Sequence, residues 1–272
     1  MRMSLLVGSV ERVGRRTADD VEYCGSLARQ LWNSLRALSL ALPVVGKRYR
    51  WKAAVTQMLQ IGVQAFPMVT LMAVCAGLIL AMQGASELRR IGAIDLVVEL
   101  VTIGFTRELG PLLTAIAVSG RSASSFSAEI GTMKVTEEID ALRTMGIDPV
   151  EFVLAPKYLA ALVVIPCLSI FSNAFGILAG GVFMKIATGM TLGVFLRSVA
   201  RTLVLRDLLF GLLKSLAFAT IIVQVGCLEG LSVKGGPDAV GRSTTAAVVK
   251  STFLVILADV AFTTLFYLTG GV

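Results

Sequence analysis

The stretch YLAALVVIPCLSIFSNAFGILAGGVFM, Tyr158–Met184, contains no charged residue. As a helix it is about 40 Å long at 1.5 Å per residue, enough to cross a hydrocarbon core of roughly 30 Å. A second uncharged run extends from Ala53 to Ser86. Across the whole chain 56% of residues are hydrophobic and 16% charged, with a mean hydropathy of +0.81. A water-soluble fold of 272 residues has too little interior to hide so much apolar surface. Lipid is therefore the expected solvent. The predicted fold class is an all-α membrane protein: about five transmembrane helices, an N-terminal interfacial amphipathic helix and a cytoplasmic coupling helix.

The Ala53–Ser86 run is too long for one perpendicular span. Pro67 removes a backbone donor and crowds the preceding turn, so it is expected to divide the run. The predicted spans are 67–86, 100–120, 158–184, 208–228 and 251–268. Together they form a transmembrane domain, 53–272, behind a basic arm, 1–52. Within that arm Leu27, Leu31, Leu35, Leu38 and Leu42 make a helical stripe, with Arg29 and Arg36 off it, as in a helix lying in the membrane interface. Gln57, Gln60 and Gln64 share one helical face, which suits an interface or a protein contact better than lipid. The first residues do not read as a signal peptide, because Glu11, Arg12, Arg15 and Arg16 follow a short apolar stretch.

Orientation follows from the basic residues. With the N-terminus inside, the inner segments hold 17 Lys and Arg and the outer ones 7, so the positive-inside rule predicts a cytoplasmic N-terminus and an outside C-terminus. The net charge of +7 then reflects proximity to anionic lipid rather than nucleic acid.

Composition excludes much chemistry. There is no histidine, hence no histidine triad, metal site or proton relay. The four cysteines are scattered without a CxxC pair, so neither zinc nor a disulfide framework is signalled. The run GPDAVGRS, Gly236–Ser243, nearly spells a phosphate-binding loop, but Arg242 stands at the lysine position and a membrane span precedes it instead of a strand. It reads as a Gly-rich turn, with Ser243 or Thr244 capping the fifth span. No cofactor is expected in this chain.

Charges at membrane depth need a cavity or a partner, because one at the centre of a span costs about 2.5–3.5 kcal/mol on insertion scales. Arg107, Glu108, Lys214 and Asp259 are of this kind. Glu108 is expected to pair with Lys214, Arg107 to suit a lipid phosphate, and Asp259 to bond a neighbouring helix. The small-residue pairs Gly176/Gly180 and Gly226/Gly230 read as packing sites within the bundle.

Between the second and third spans, 121–157 is too polar to cross. Val135, Ile139, Leu142 and Met145/Gly146 form an apolar stripe beside Glu137, Glu138, Asp140 and Arg143. Gly146 is a plausible helix stop. Asp148-Pro149-Val150-Glu151 reads as a new start, with Asp148 as the cap. A soluble partner can push on a short helix placed there.

The run RELGP (Arg107–Pro111), the GR at 120–121, AEIGTMKVTEEIDALRTMGIDPVEFVLAPKYLA (Ala128–Ala160) and GGPDAVGRSTTAAVVKS (Gly235–Ser251) closely resemble the permease subunit of MCE-associated ABC transporters, the MlaE/YrbE family, over about residues 45–270. The resemblance implies a homodimer in the bacterial inner membrane. It implies two cytoplasmic ATPase subunits that bind the ATP, a periplasmic MCE-domain protein (a hexamer) and a small cytoplasmic accessory subunit. Phospholipid or a related lipid would move between the inner membrane and the MCE protein, maintaining outer-membrane lipid asymmetry. It further implies ATPase coupling through Glu137, Glu138, Ile139, Asp140, Ala141, Leu142, Met145 and Gly146, with the apolar stripe docking and Glu137 and Asp140 making polar contacts. Arg107, Glu108 and Lys214 are assigned to the lipid pathway. The competing readings are an ion-coupled secondary transporter or channel, an intramembrane enzyme and a passive scaffold.

Overall fold

The computed structural model describes Gly25 and residues 48–269. The interfacial helix expected at 26–43 lies outside the described residues.

Helix α1, Arg48–Arg90, is one 43-residue helix, with Pro67 inside it. The expected division at Pro67 is therefore corrected. A proline is tolerated within a membrane helix when neighbouring groups support the disturbed turn. Close by, the side chain of Arg121 donates to the Gln64 carbonyl at 3.0 Å and so ties this part of α1 to the rod.

After a turn at 91–95 the chain returns as a helical rod, 96–135. The rod is built from α2 (Leu96–Gly104), α3 (Gly110–Val118) and α4 (Ser124–Val135), joined by π-helical turns at Phe105–Leu109 and Ser119–Ala123. Val97, Val101, Phe105, Thr114, Ala115, Val118, Ala123 and Ile130 are buried along it. Among the described residues four helices are long and apolar enough to cross a membrane, and the segment containing 100–120 is not one of them. The physical reason is that Glu99, Arg107, Glu108 and Arg121 interrupt its apolar sequence. It packs against the other long helices, so protein rather than lipid surrounds much of it.

Short α5, Glu138–Thr144, follows. A π turn, Val150–Leu154, leads into α6, Ala155–Thr188. Amphipathic α7, Leu192–Thr202, fills the linker before the fourth span, where the sequence reading places no helix. Its Phe195 is fully buried beside Gly181. Then come α8, Leu205–Leu231, and α9, Pro237–Leu268. The last helix begins near Gly236 rather than at Ser243 or Thr244, which correct to interior positions whose hydroxyls bond back to Val240 and Gly241 carbonyls.

The long helices alternate in direction, giving one end that carries α5 and a far end that carries α7. The outer faces of α1 and α9 expose Leu59, Val63, Leu71, Ile79, Phe253, Leu257 and Val260. Apolar faces of this extent are stable in lipid and not in water. The glycine pairs behave as expected: Gly176 lies against Phe105 and the backbone of Gly77, and Gly226 against the Ala123 carbonyl.

Candidate functional site

Two regions of the rod carry chemistry. The first is its π turn at Phe105–Leu109. Arg107 and Glu108, adjacent in sequence, both reach the same face of α8, where Asp207, Gly211 and Lys214 are spaced i, i+4 and i+7. Gly211 permits this approach. A β-carbon there would lie 2.2 Å from the Thr106 carbonyl oxygen.

Lys214 is fully buried. Its ammonium donates to Glu108 Oε2, to Asp259 Oδ1 at 2.8 Å and to the Thr263 hydroxyl at 2.8 Å. Three donors thus meet three acceptors, which is the full capacity of a lysine. The Thr263 proton has Glu108 Oε1 at 3.1 Å and the Asp259 carbonyl at 2.9 Å within reach. Arg107 donates from Nε to Asp207 Oδ1 at 2.7 Å. Its guanidinium lies 4.9 Å from the centre of the Phe266 ring, and Lys214 Nζ lies 5.4 Å from that of Phe210, within range for cation–π attraction. The Phe210 and Phe266 rings meet at 4.4 Å, so the polar cluster is roofed by aromatics.

The expected Glu108–Lys214 pair is present, and Asp259 bonds a neighbouring helix. Sequence reasoning misses Asp207 and Thr263. Asp207 falls one residue before the predicted span, and nothing in the sequence tells which helix face meets Arg107. In the cluster two carboxyl groups, Glu108 and Asp259, share the one amine of Lys214, and Glu108 is its most exposed member, at 35% of its side chain.

The second region is the α5 end. Glu137 adopts a left-handed conformation (φ 62°), which turns the chain sharply between α4 and α5. Gly146 (φ 71°) ends the helix. The Ile147 N–H donates to the Leu142 carbonyl and the Gly146 N–H to the Arg143 carbonyl, a Schellman closure. Asp148 Oδ1 accepts from the Val150 N–H at 2.9 Å, as its capping role requires. Asp140 is clamped by Lys134 at 3.1 Å and Arg143 at 3.0 Å. The hydrogen bond from Lys134 is the main reason its carboxyl is held below the usual range. Lys157, buried on α6, bonds Glu129 of α4 at 2.6 Å.

The coupling set divides in the structure. Ile139 and Leu142 are buried in the chain's own core. The middle of the stripe, Ile139 and Leu142, is thus turned inward, because the left-handed turn at Glu137 folds α5 back under α4, while its end at Met145 and Gly146 stays exposed. Glu137, Glu138, Ala141, Met145 and Gly146 face outward, with Met145 65% exposed, and Asp140 is partly exposed between the two groups.

The family model for Permease MlaE matches residues 54–265. The chain belongs to the MlaE permease family. It is 30% identical over 263 residues to a probable ABC transporter permease protein of Rickettsia bellii, covering 97% of this chain and 99% of the relative. A probable ABC transporter permease protein of Synechocystis is 34% identical over 218 residues, covering 80% and 83%. The chloroplastic protein TRIGALACTOSYLDIACYLGLYCEROL 1 of Arabidopsis thaliana is 28% identical over 250 residues, covering 90% of this chain and 71% of the relative. The family match spans both regions of the rod, so this MlaE-family chain is a multi-pass membrane protein with its charge cluster and its α5 end inside the family's extent.

Proposed function

We propose that this chain is the permease subunit of an ABC transporter that moves phospholipid, or a related lipid, between the bacterial inner membrane and a periplasmic MCE-domain protein. ATP is hydrolysed by separate cytoplasmic subunits. The observation that carries the reading is the rod itself. One helical element bears the outward-facing α5 at one end and, 27 residues away (about 40 Å along a helix axis), the Glu108–Lys214 pair. A partner pressing on α5 moves α4 through Asp140–Lys134, and the two π turns are the compliant points of the rod, since such turns mark functional irregularities in helices.

The names of the relatives support an ABC partner, and one relative is named after a diacylglycerol-based lipid. In this reading the α5 end is cytoplasmic, the C-terminus periplasmic, and two copies of the chain enclose the lipid pathway. Arg107 meets a lipid phosphate through its exposed edge, and Glu108 and Lys214 gate the route. An apolar recess of about 420 Å³ between α1 and α6, bordered by Val63, Phe66, Val164 and Phe171, offers room for hydrocarbon. Purification of the chain from its native membrane tests the assembly. An ATPase subunit and an MCE protein co-purifying in fixed ratio is the expected result, and a preparation lacking any ATPase overturns it.

A second reading, an ion-coupled transporter, draws on two carboxylates, Glu108 and Asp259, sharing one ammonium at depth, as proton relays do. Transport driven by a pH gradient without ATP is its signature.

A further inference from the structure

The second π turn of the rod, Ser119–Ala123, also carries an arginine, and its surroundings differ from those of Arg107. Between α1 and the rod lies a polar pocket of about 140 Å³, bordered by Gln57, Gln60, Gln64, Arg121, Ser122 and Ser125. Glu129 also lines the pocket and is paired with buried Lys157 at 2.6 Å, so among the described residues Arg121 is the lining charge without a charged partner. That guanidinium donates to the carbonyl and to the side-chain oxygen of Gln64. Two of its five donors are thereby placed, and among the described residues the other three have no acceptor. Gln60, Gln64, Arg121 and Ser125 are exposed at the surface of the chain.

The depth of this pocket is informative. Arg121 follows Arg107 by 14 residues, about 21 Å along the rod. If the pair is centred in a hydrocarbon layer of about 30 Å, two arginines so spaced come close to opposite boundaries. Exposed Arg and Gln side chains below a boundary are unfavourable against acyl chains, and a ligand with anionic oxygens removes the penalty. A guanidinium fork, amide N–H groups and serine hydroxyls form the donor set that suits a phosphate.

We infer that this pocket binds a phosphate group on the α5 side of the membrane, in the leaflet opposite to Arg107. The proposal deepens, and for its lipid source rests on, the reading as a lipid permease. The phosphate belongs to a lipid headgroup entering from that leaflet or to free inorganic phosphate.

The test uses the full chain, with its co-purifying subunits, in nanodiscs. Phosphatidylglycerol carrying a photoreactive group near its headgroup is the probe, and diacylglycerol with the same tails and label is the comparison. Crosslinks to residues 57–64 and 121–125 are read by peptide mass spectrometry. The phospholipid is expected to label these segments well above diacylglycerol. Arg121→Gln is expected to lower the yield about tenfold, the scale of one charged hydrogen-bond set, and Arg121→Lys to restore part of it. Gln60→Leu leaves the Arg121–Gln64 strap intact and lowers the yield without altering thermal unfolding. Phospholipid labelling above diacylglycerol that resists millimolar inorganic phosphate assigns the lipid headgroup; no preference for phospholipid, with inorganic phosphate alone protecting residues 121–125 in the wild type and not in Arg121→Gln, assigns the free ion. Equal labelling of these segments by both lipids, unchanged by inorganic phosphate and by Arg121→Gln, overturns the site. ATP-driven lipid transfer by the wild type is measured separately, and its absence overturns the permease reading while leaving phosphate binding at Arg121 standing.

Discussion

Lys214 Nζ lies 2.8 Å from Asp259 Oδ1 and also donates to Glu108 Oε2, so one fully buried ammonium ties α8 to both α9 and the rod. Removing it leaves two carboxylates facing each other with no cation. Breaking a buried pair in this way costs about 3–5 kcal/mol, less here because Glu108 is partly exposed. Lys214→Met is expected to lower the thermal unfolding temperature clearly, and Lys214→Met with Asp259→Asn to recover part of the loss. Additive loss in the double variant would show that the two side chains are not coupled.

Close approach of the rod to α8 rests on Gly211. In Gly211→Ala the new methyl meets the Thr106 carbonyl, which is backbone and cannot swing aside. Overpacking of this kind costs about 1–3 kcal/mol. Gly193→Ala, with nothing within 4 Å, is the matched comparison and is expected to unfold like the wild type. Equal unfolding temperatures for the two variants would contradict the packing described.

At the α5 end, burial separates stability from docking. Leu142→Ala removes a core side chain and is expected to cost about 2–5 kcal/mol, read as a lower unfolding temperature. Met145→Ala is expected to leave stability unchanged and to weaken capture of the ATPase subunit. Normal capture by Met145→Ala and Glu138→Ala together would remove α5 from the coupling role.

The Lys134–Asp140 clamp should respond to acid. The Asp140 carboxyl is held below the usual range in the folded chain, so the clamp is intact at neutral pH. Its contribution is present above the ordinary carboxyl value, about 4, and fades as pH falls through the lower folded value. A spin label at Met145 is expected to gain mobility as pH drops below about 4, and Asp140→Asn to show that mobility already at neutral pH. Mobility independent of pH in both proteins would contradict the clamp.

Much of this arrangement is legible in the residues. The penalty on charge in lipid is enough to pair Glu108 with Lys214 from the sequence alone. Gly146 and Asp148 announce the end of one helix and the start of the next, and both play those parts in the fold. Other features depend on relations that a linear pattern does not contain. Pro67 reads as a break, but α1 continues through it, and nearby Gln64 is held by Arg121, 57 positions away in the chain. The stripe containing Ile139 and Leu142 signals an apolar face, and periodicity cannot say whether that face meets a partner or the chain's own core. Asp207 is hidden for a similar reason: its role comes from Arg107 on another helix.

The central claim is that another subunit's ATP, acting through the rod, moves a lipid past Arg107 and Glu108. The direct measurement is transfer of labelled phospholipid between vesicles containing the purified complex and its MCE acceptor, with and without ATP, for the wild type, Arg107→Ala and Glu108→Ala. The account predicts ATP-dependent transfer by the wild type and strongly reduced transfer by both variants in complexes that still assemble. Wild-type rates from the two variants, or transfer that proceeds equally without ATP, would contradict it.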